Sequence, residues 1–124
     1  MNSNWIVLLI VAAAVAVVFM IKKSSQVPAT AALNYLKQGA LVIDVRSTGE
    51  FNSGHLARAI NLPLDEIETA VPARVKDKSQ ALLLHCASGL RSGLAARKLK
   101  SLGYTNVFNL GSYGRAESIL KQAN

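Results

Sequence analysis

Two stretches of the 124-residue chain, residues 41–45 (LVIDV) and 81–85 (ALLLH), are apolar at nearly every position. Strands that face solvent on one side alternate apolar and polar residues, whereas strands covered on both sides consist of continuous apolar residues. Two shorter apolar runs, residues 59–62 and 107–110, also alternate with segments of helical composition. The sequence therefore predicts an α/β domain with a mainly parallel sheet that is covered by helices on both faces.

The segments between these strands carry signals of helix ends. Ser47 and Glu50 have the spacing of a capping box, so a short helix should begin at Ser47. Acidic residues early in the segment 64–72 suit the positive end of a helix dipole, and Pro72 should close that helix. Three further segments have helical spacing, and two of them end at a glycine: residues 29–38, residues 92–102 and residues around 116–120.

An uncharged apolar run, residues 5–21, precedes the domain. Its length predicts a transmembrane helix with Trp5 as an interfacial anchor. Lys22 and Lys23 follow the run, so the positive-inside bias predicts a single-pass protein of the cell (inner) membrane with its domain in the cytoplasm. The alternative is export with a cleaved signal peptide, although such signals carry their positive charge before the apolar run.

These predictions divide the chain into an anchor, residues 1–23, a polar linker, residues 24–27, and a domain, residues 28–124. The whole chain carries a formal charge of +7, from 14 basic and 7 acidic residues. The domain has no arginine-rich stripe with interleaved aromatic residues, so we expect no nucleic-acid partner. It also lacks a glycine-rich nucleotide loop and a metal-ligand cluster, so we predict no cofactor and no metal.

The only cysteine, Cys86, directly follows the buried strand 81–85. A single cysteine cannot form an internal disulfide, so Cys86 is expected to be a free thiol. Ligands bind parallel sheets beyond the carboxyl ends of the strands, which is where Cys86 stands. N–H groups that converge from the loop 87–92 should favour the thiolate, which is the nucleophilic form of cysteine. The competing interpretation is a small buried apolar residue at a strand end.

The residues around this cysteine are candidates for substrate binding. Gly89 permits the positive φ that a tightly curled loop needs, and Arg91 adds a cation suited to an anionic substrate. Arg46 follows Asp44 at another strand end and can add positive potential, although an Asp44–Arg46 pair has a simple structural interpretation. The candidate catalytic residue is Cys86, and the candidate substrate-binding residues are Ala87, Ser88, Gly89, Leu90, Arg91, Ser92 and Arg46.

Neither histidine is predicted to act in catalysis. Neighbouring residues along a strand point to opposite faces, so the ring of His85 should point away from the thiol of Cys86. His55 is interpreted as a structural residue that hydrogen-bonds backbone near the site, because buried polar groups are usually satisfied in this way.

Two groups of motifs extend over nearly all of residues 28–124. The segment 86–92 has the pattern C-x-x-G-x-R-S, which resembles the active loop of a single-domain rhodanese, a thiosulfate-type sulfurtransferase. The other motifs also resemble landmarks of that family: D-V-R at 44–46, E-F at 50–51, G-H-L at 54–56, A-I-N at 59–61 and Pro63. The chain departs from the family pattern at Ala57-Arg58 and at residues 111–115, which bear on substrate choice.

The resemblance implies a five-stranded parallel sheet flanked by helices. It also implies that Cys86 carries a sulfur atom, as a persulfide, from a small donor such as thiosulfate to a thiol or cyanide acceptor. Two other functions stay open: a cysteine-based phosphatase or arsenate reductase, and a non-catalytic binding module of the same fold. The related phosphatases have five residues between cysteine and arginine, whereas only four separate Cys86 from Arg91, which favours sulfur transfer.

Overall fold

The structure is a computed structural model that describes residues 3–124, and the side chains of all of these except residues 21–24. Four strands form the sheet: β1 Leu41–Asp44, β2 Ile60–Asn61, β3 Leu82–His85 and β4 Val107–Gly111. The helices are α1 Asn4–Ser24, α2 Ala29–Lys37, α3 Thr48–Ser53, α4 Ile67–Arg74, α5 Leu90–Ser101 and α6 Tyr113–Ala123. A single 3-10 turn, Leu64–Glu66, leads into α4.

All strand pairs are parallel, and the strand order is β2-β1-β3-β4. The predicted α/β fold with a parallel sheet is therefore confirmed. The expectation of five strands is wrong for the residues described, because the chain next to β4 forms only one isolated bridge, between Gln26 and Asn109. The Val27 N–H still donates to the Asn109 carbonyl at 2.9 Å, but Pro28 has no N–H to continue the ladder and α2 begins at Ala29.

The apolar strand β3 shows why the runs in the sequence are continuous. Leu82 and Leu84 pack into a cluster with residues of α4 and α5, while Leu83 packs on the other face with residues of α2 and α6. All three leucines have no exposed surface. Both faces of the sheet are thus covered, which leaves its carboxyl edge as the place where polar side chains and loops meet.

The helix ends follow the sequence signals in part. Ser47 caps α3 with a complete capping box, in which its side chain accepts from the Glu50 N–H and Glu50 accepts from the Ser47 N–H. The expectation that Pro72 closes a helix is wrong, because α4 continues to Arg74. Pro72 lacks an N–H to donate within the helix, but the helical bond from the Val75 N–H to the Val71 carbonyl still forms, at 2.7 Å.

The predicted localisation in the cell membrane is contradicted. Of the helices formed by residues 3–124, none combines enough length with enough apolar character for a bilayer span. The uncharged run of α1, residues 5–21, rises about 26 Å at about 1.5 Å per residue, which is less than the roughly 30 Å of a hydrocarbon core. The predictions of a transmembrane anchor, of membrane association through residues 5–21 and of a single-pass topology are therefore corrected.

Candidate active site

The loop that follows β3 is tied to the end of β4 and the start of α6. The N–H of Cys86 donates to the Gly111 carbonyl at 3.3 Å, and the N–H of Tyr113 donates to the Ala87 carbonyl at 3.2 Å. Gly89 ends the loop with φ of +98° and precedes the first residue of α5. A Cβ at that position would lie 3.2 Å from the Gly111 backbone, so both the conformation and the close approach favour glycine.

The sulfur of Cys86 is the point on which this loop converges. The Gly89 N–H donates to Sγ at 3.0 Å, and the Ser92 hydroxyl oxygen lies 3.5 Å from Sγ. Burial disfavours the thiolate and raises the pKa of Cys86, but the hydrogen bonds from the Ser92 hydroxyl and from the N–H groups of Ser92, Gly89 and Ser88 outweigh it. The pKa of the thiol therefore falls below its ordinary value, and the nucleophilic form is favoured.

The predicted loop residues surround this sulfur. Cys86, Gly89 and Ser92 are buried, with no exposed surface on Cys86 or Ser92, whereas Ala87, Ser88 and Leu90 are exposed. The exposed residues form the outer rim of the site, and the buried Gly89 and Ser92 contact the sulfur. Of the seven predicted binding residues, Ala87, Ser88 and Gly89 thus lie in the loop after Cys86, and Leu90, Arg91 and Ser92 form the first turn of α5.

Arg91 stands at the rim, but its charge is shared with a residue of α3. Its two terminal nitrogens donate to the two carboxylate oxygens of Glu50 at 2.7 and 2.9 Å. The hydrogen bond from Arg91 is the largest cause that lowers the pKa of Glu50 to about 2, so the carboxylate stays charged. In the sequence, Glu50 has the position of a helix cap and is part of the E-F motif, and its contact with Arg91 depends on the fold bringing α3 beside α5.

Arg46, the seventh candidate, points elsewhere. Its guanidinium binds both oxygens of Asp44, at 3.0 Å through Nε and 2.7 Å through Nη2, and also donates to the Gly54 carbonyl at 2.8 Å. The guanidinium lies 4.9 Å from the centre of the Tyr113 ring. Within the described part of the chain, the hydrogen bonds of the Arg46 side chain go to Asp44 and Gly54, which matches the structural pairing considered for Asp44.

His85 is buried, whereas His55 is exposed, although its predicted role assumed burial. The Nδ1 atom of His85 lies 3.3 Å from the Cys86 carbonyl oxygen, and its Nε2 atom lies 3.7 Å from an Asp44 carboxylate oxygen. The ring therefore points toward the carboxylate of Asp44, a partner that was not predicted, and burial lowers the pKa of His85. His55 places Nδ1 2.9 Å from the Phe51 carbonyl and stacks on the Phe51 ring with centroids 3.7 Å apart.

Asn109 of β4 is a site residue that the sequence analysis missed. Its side-chain oxygen accepts from the Ser92 hydroxyl at 2.6 Å, and its side-chain nitrogen donates to the Gly89 carbonyl at 3.0 Å. Asn109 is only 2% exposed. The available signal was a lone amide within the apolar run 107–110, since a buried polar side chain needs partners.

The fold and site together define a class: parallel α/β domains in which a cysteine at the carboxyl edge of the sheet accepts a backbone N–H hydrogen bond. The rhodanese-like domain family matches residues 28–114, and the chain belongs to that family. The thiosulfate sulfurtransferase PspE of Escherichia coli (strain K12) is 38% identical over 69 residues, which cover 56% of this chain and 66% of PspE.

Two further similarities extend over more of the chain. The uncharacterized protein YqhL of Bacillus subtilis (strain 168) is 34% identical over 114 residues, which cover 87% of each chain. The structure of the human single-domain sulfurtransferase TSTD1 is similar with a TM-score of 0.63 and 30% identity, over 78% of this chain and 96% of that one. The relatives of this rhodanese domain thus include sulfurtransferases.

Proposed function

We propose that the chain is a sulfurtransferase that moves a sulfane sulfur from thiosulfate, or a similar small donor, to a thiophilic acceptor through a persulfide on Cys86. The observation that carries the proposal is the sulfur of Cys86 at the carboxyl edge of the sheet, with the Gly89 N–H 3.0 Å away. The lowered pKa of Cys86 supports it, because a thiolate is the form that attacks sulfur.

The reaction has two displacements at sulfur. The Cys86 thiolate attacks the outer sulfur of thiosulfate, a new S–S bond forms, and sulfite leaves with the electron pair of the broken bond. A cyanide ion or a thiolate then attacks the terminal sulfur of the persulfide. The bond to Cys86 breaks, the thiolate returns, and the product is thiocyanate or the persulfide of the acceptor. No second cysteine exists in the chain, so the acceptor must be external.

The loop 87–89 and the first turn of α5, through Ser92, supply the binding groups in this proposal. Their N–H groups that surround Sγ can also hold the negative terminal sulfur of the persulfide. Arg91 uses two of the five N–H donors of its guanidinium on Glu50, which leaves donors for the oxygens of an anionic donor. Arg46 contributes positive potential at most, because its hydrogen bonds go to Asp44 and Gly54.

Intact-mass analysis of the full chain after incubation with thiosulfate tests this function. We expect an adduct with the mass of one sulfur atom, located on Cys86 by peptide mapping, and its loss with release of thiocyanate on addition of cyanide. The Cys86→Ser variant should acquire no adduct. An aryl phosphate assayed in parallel separates the alternatives. Turnover of the phosphate ester without sulfur loading would indicate a phosphatase. The absence of both reactions would favour the binding module.

A further inference from the structure

The Asn109 side chain connects strand β4 to two residues that touch the Cys86 sulfur. Its oxygen accepts two hydrogen bonds, from the Ser92 hydroxyl at 2.6 Å and from the Gly111 N–H at 2.8 Å. Its nitrogen donates to the Gly89 carbonyl at 3.0 Å. The Gly111 N–H can only donate and the Gly89 carbonyl can only accept, so these two partners fix the orientation of the amide.

The Ser92 hydroxyl has one proton and several acceptors within reach. The Asn109 oxygen at 2.6 Å is the closest, the Gly89 carbonyl lies at 3.2 Å, and the Cys86 sulfur lies at 3.5 Å. A hydrogen bond to a charged acceptor is roughly twice as strong as one to a neutral acceptor. The neutral thiol therefore leaves the proton with Asn109, whereas a thiolate competes for it.

The loss of the hydrogen bond from Ser92 has little energetic cost for Asn109. Its oxygen keeps the Gly111 N–H, and therefore does not become an unsatisfied buried acceptor when the Ser92 hydroxyl turns. Gly93 preserves the space that the amide occupies, since a Cβ there would stand 3.2 Å from the Asn109 nitrogen. The amide is thus held in place while the hydroxyl beside it is free to rotate.

We propose that Asn109 is a positioning residue of the sulfur-transfer site, which holds the Ser92 hydroxyl proton while Cys86 is a thiol and releases it to Sγ when the sulfur is negatively charged. The thiol proton itself passes to water, so the step is a rotation of one hydroxyl and no covalent bond changes in Asn109 or Ser92. The proposal rests on Cys86 being the reacting sulfur. Its test follows ionisation of the thiol alone, so it is separate from the test of sulfur transfer.

The experiment is a double-mutant cycle on the ionisation of Cys86, followed by the ultraviolet absorbance of the thiolate relative to Cys86→Ser. Asn109→Asp should raise the pKa of Cys86 by about one unit, or about tenfold less thiolate, because a carboxylate binds the hydroxyl proton more strongly and repels the thiolate. In a Ser92→Ala background the shift should fall below half, since only the direct repulsion remains. Asn34→Asp, at an exposed position of α2, is the matched control and should not shift the pKa.

Equal shifts in the two backgrounds, or no shift at all, would overturn the proposal. The charged side chain of Arg91 interacts with Cys86, and it is unchanged in every variant. A measurement on the unmutated chain covers the case in which a variant does not fold. The NMR signals of the Asn109 side-chain amide should move with the ionisation of Cys86 and stay constant in Cys86→Ser. Amide chemical shifts of Asn109 that do not change as Cys86 ionises would also refute the proposal.

Discussion

The ends of strands β1 and β3 lie side by side at the same edge of the sheet, and each leads into a segment that contains an arginine. After β1, Arg46 folds back onto Asp44 through several hydrogen bonds, and both residues are nearly or fully buried. After β3, the backbone curls so that N–H groups surround the Cys86 sulfur, and Arg91 stays at the surface.

The difference shows that a position at a strand end does not by itself decide what a side chain contacts. Asp44, the last residue of β1, and Arg46 neutralise each other's charge, so neither side chain is available to bind a ligand. The loop after β3 instead leaves its N–H groups directed at one sulfur, with the Glu50–Arg91 pair more than a third exposed at the rim. We therefore expect changes after β1 to affect stability and changes after β3 to affect chemistry.

The largest expected effect comes from Cys86→Ser. Sulfur transfer from thiosulfate to cyanide should fall to the uncatalysed rate, because a hydroxyl at this position neither ionises near neutral pH nor holds a persulfide. Thiocyanate release measures the loss, and the thermal unfolding midpoint should change little since the two side chains are close in size. Transfer by the variant at a rate comparable to the original chain would mean that Cys86 is not the carrier.

Asp44→Asn tests the other half of the comparison. The substitution leaves the guanidinium of Arg46 buried without its counter-charge, which should reduce the free energy of unfolding by about 3–5 kcal/mol. Urea denaturation measures the change, and Glu117→Gln, on the exposed surface of α6, provides a control with little effect. If Asp44→Asn lowered sulfur transfer of the folded protein while sparing its stability, Arg46 would belong to the site.

Arg91→Ala should have a smaller effect on catalysis. Loss of one charge-assisted contact should raise the activation free energy that corresponds to kcat/KM for thiosulfate by about 1.5–3 kcal/mol. The variant should gain no phosphatase activity. Glu50→Gln is the informative companion, because it removes a competing carboxylate and leaves Arg91 in place. We expect it to lower KM for thiosulfate. A rise in KM similar to that of Arg91→Ala would show that Glu50 orients Arg91 and does not compete with the substrate.

The smallest expected effect is in the pH dependence. Because the pKa of Cys86 is lowered in the folded chain, sulfur loading should rise with pH to half its maximum below the ordinary pKa of a cysteine thiol. The same depression stabilises the fold above the pKa of the unfolded thiol, and that contribution disappears as pH falls through the folded pKa. Single-turnover loading rates at a series of pH values measure the midpoint, and a midpoint at or above the ordinary value contradicts the loop geometry.

Much of the fold follows from local sequence. The continuous apolar runs predict strands covered on both faces, the pair Ser47 and Glu50 predicts the start of α3, and Gly89 predicts a positive φ. These succeed because each depends on residues within a few positions of one another. The predicted bilayer span failed, because the apolar run of α1 is marginal in length and composition alone could not decide it.

The sequence also predicted that Cys86 directly follows a buried strand and precedes a helix, because both elements have local signals. The tertiary structure decided which residues meet there. Arg91 binds Glu50 across 41 positions of the chain, and Ser92 binds Asn109 across 17. Such partners depend on how α3 and β4 pack beside α5, and packing of distant elements is not encoded in the spacing of any short motif. The position of Cys86 could therefore be predicted from the sequence. The residues that hold Arg91 and Ser92 beside it, Glu50 and Asn109, could be identified only in the folded structure.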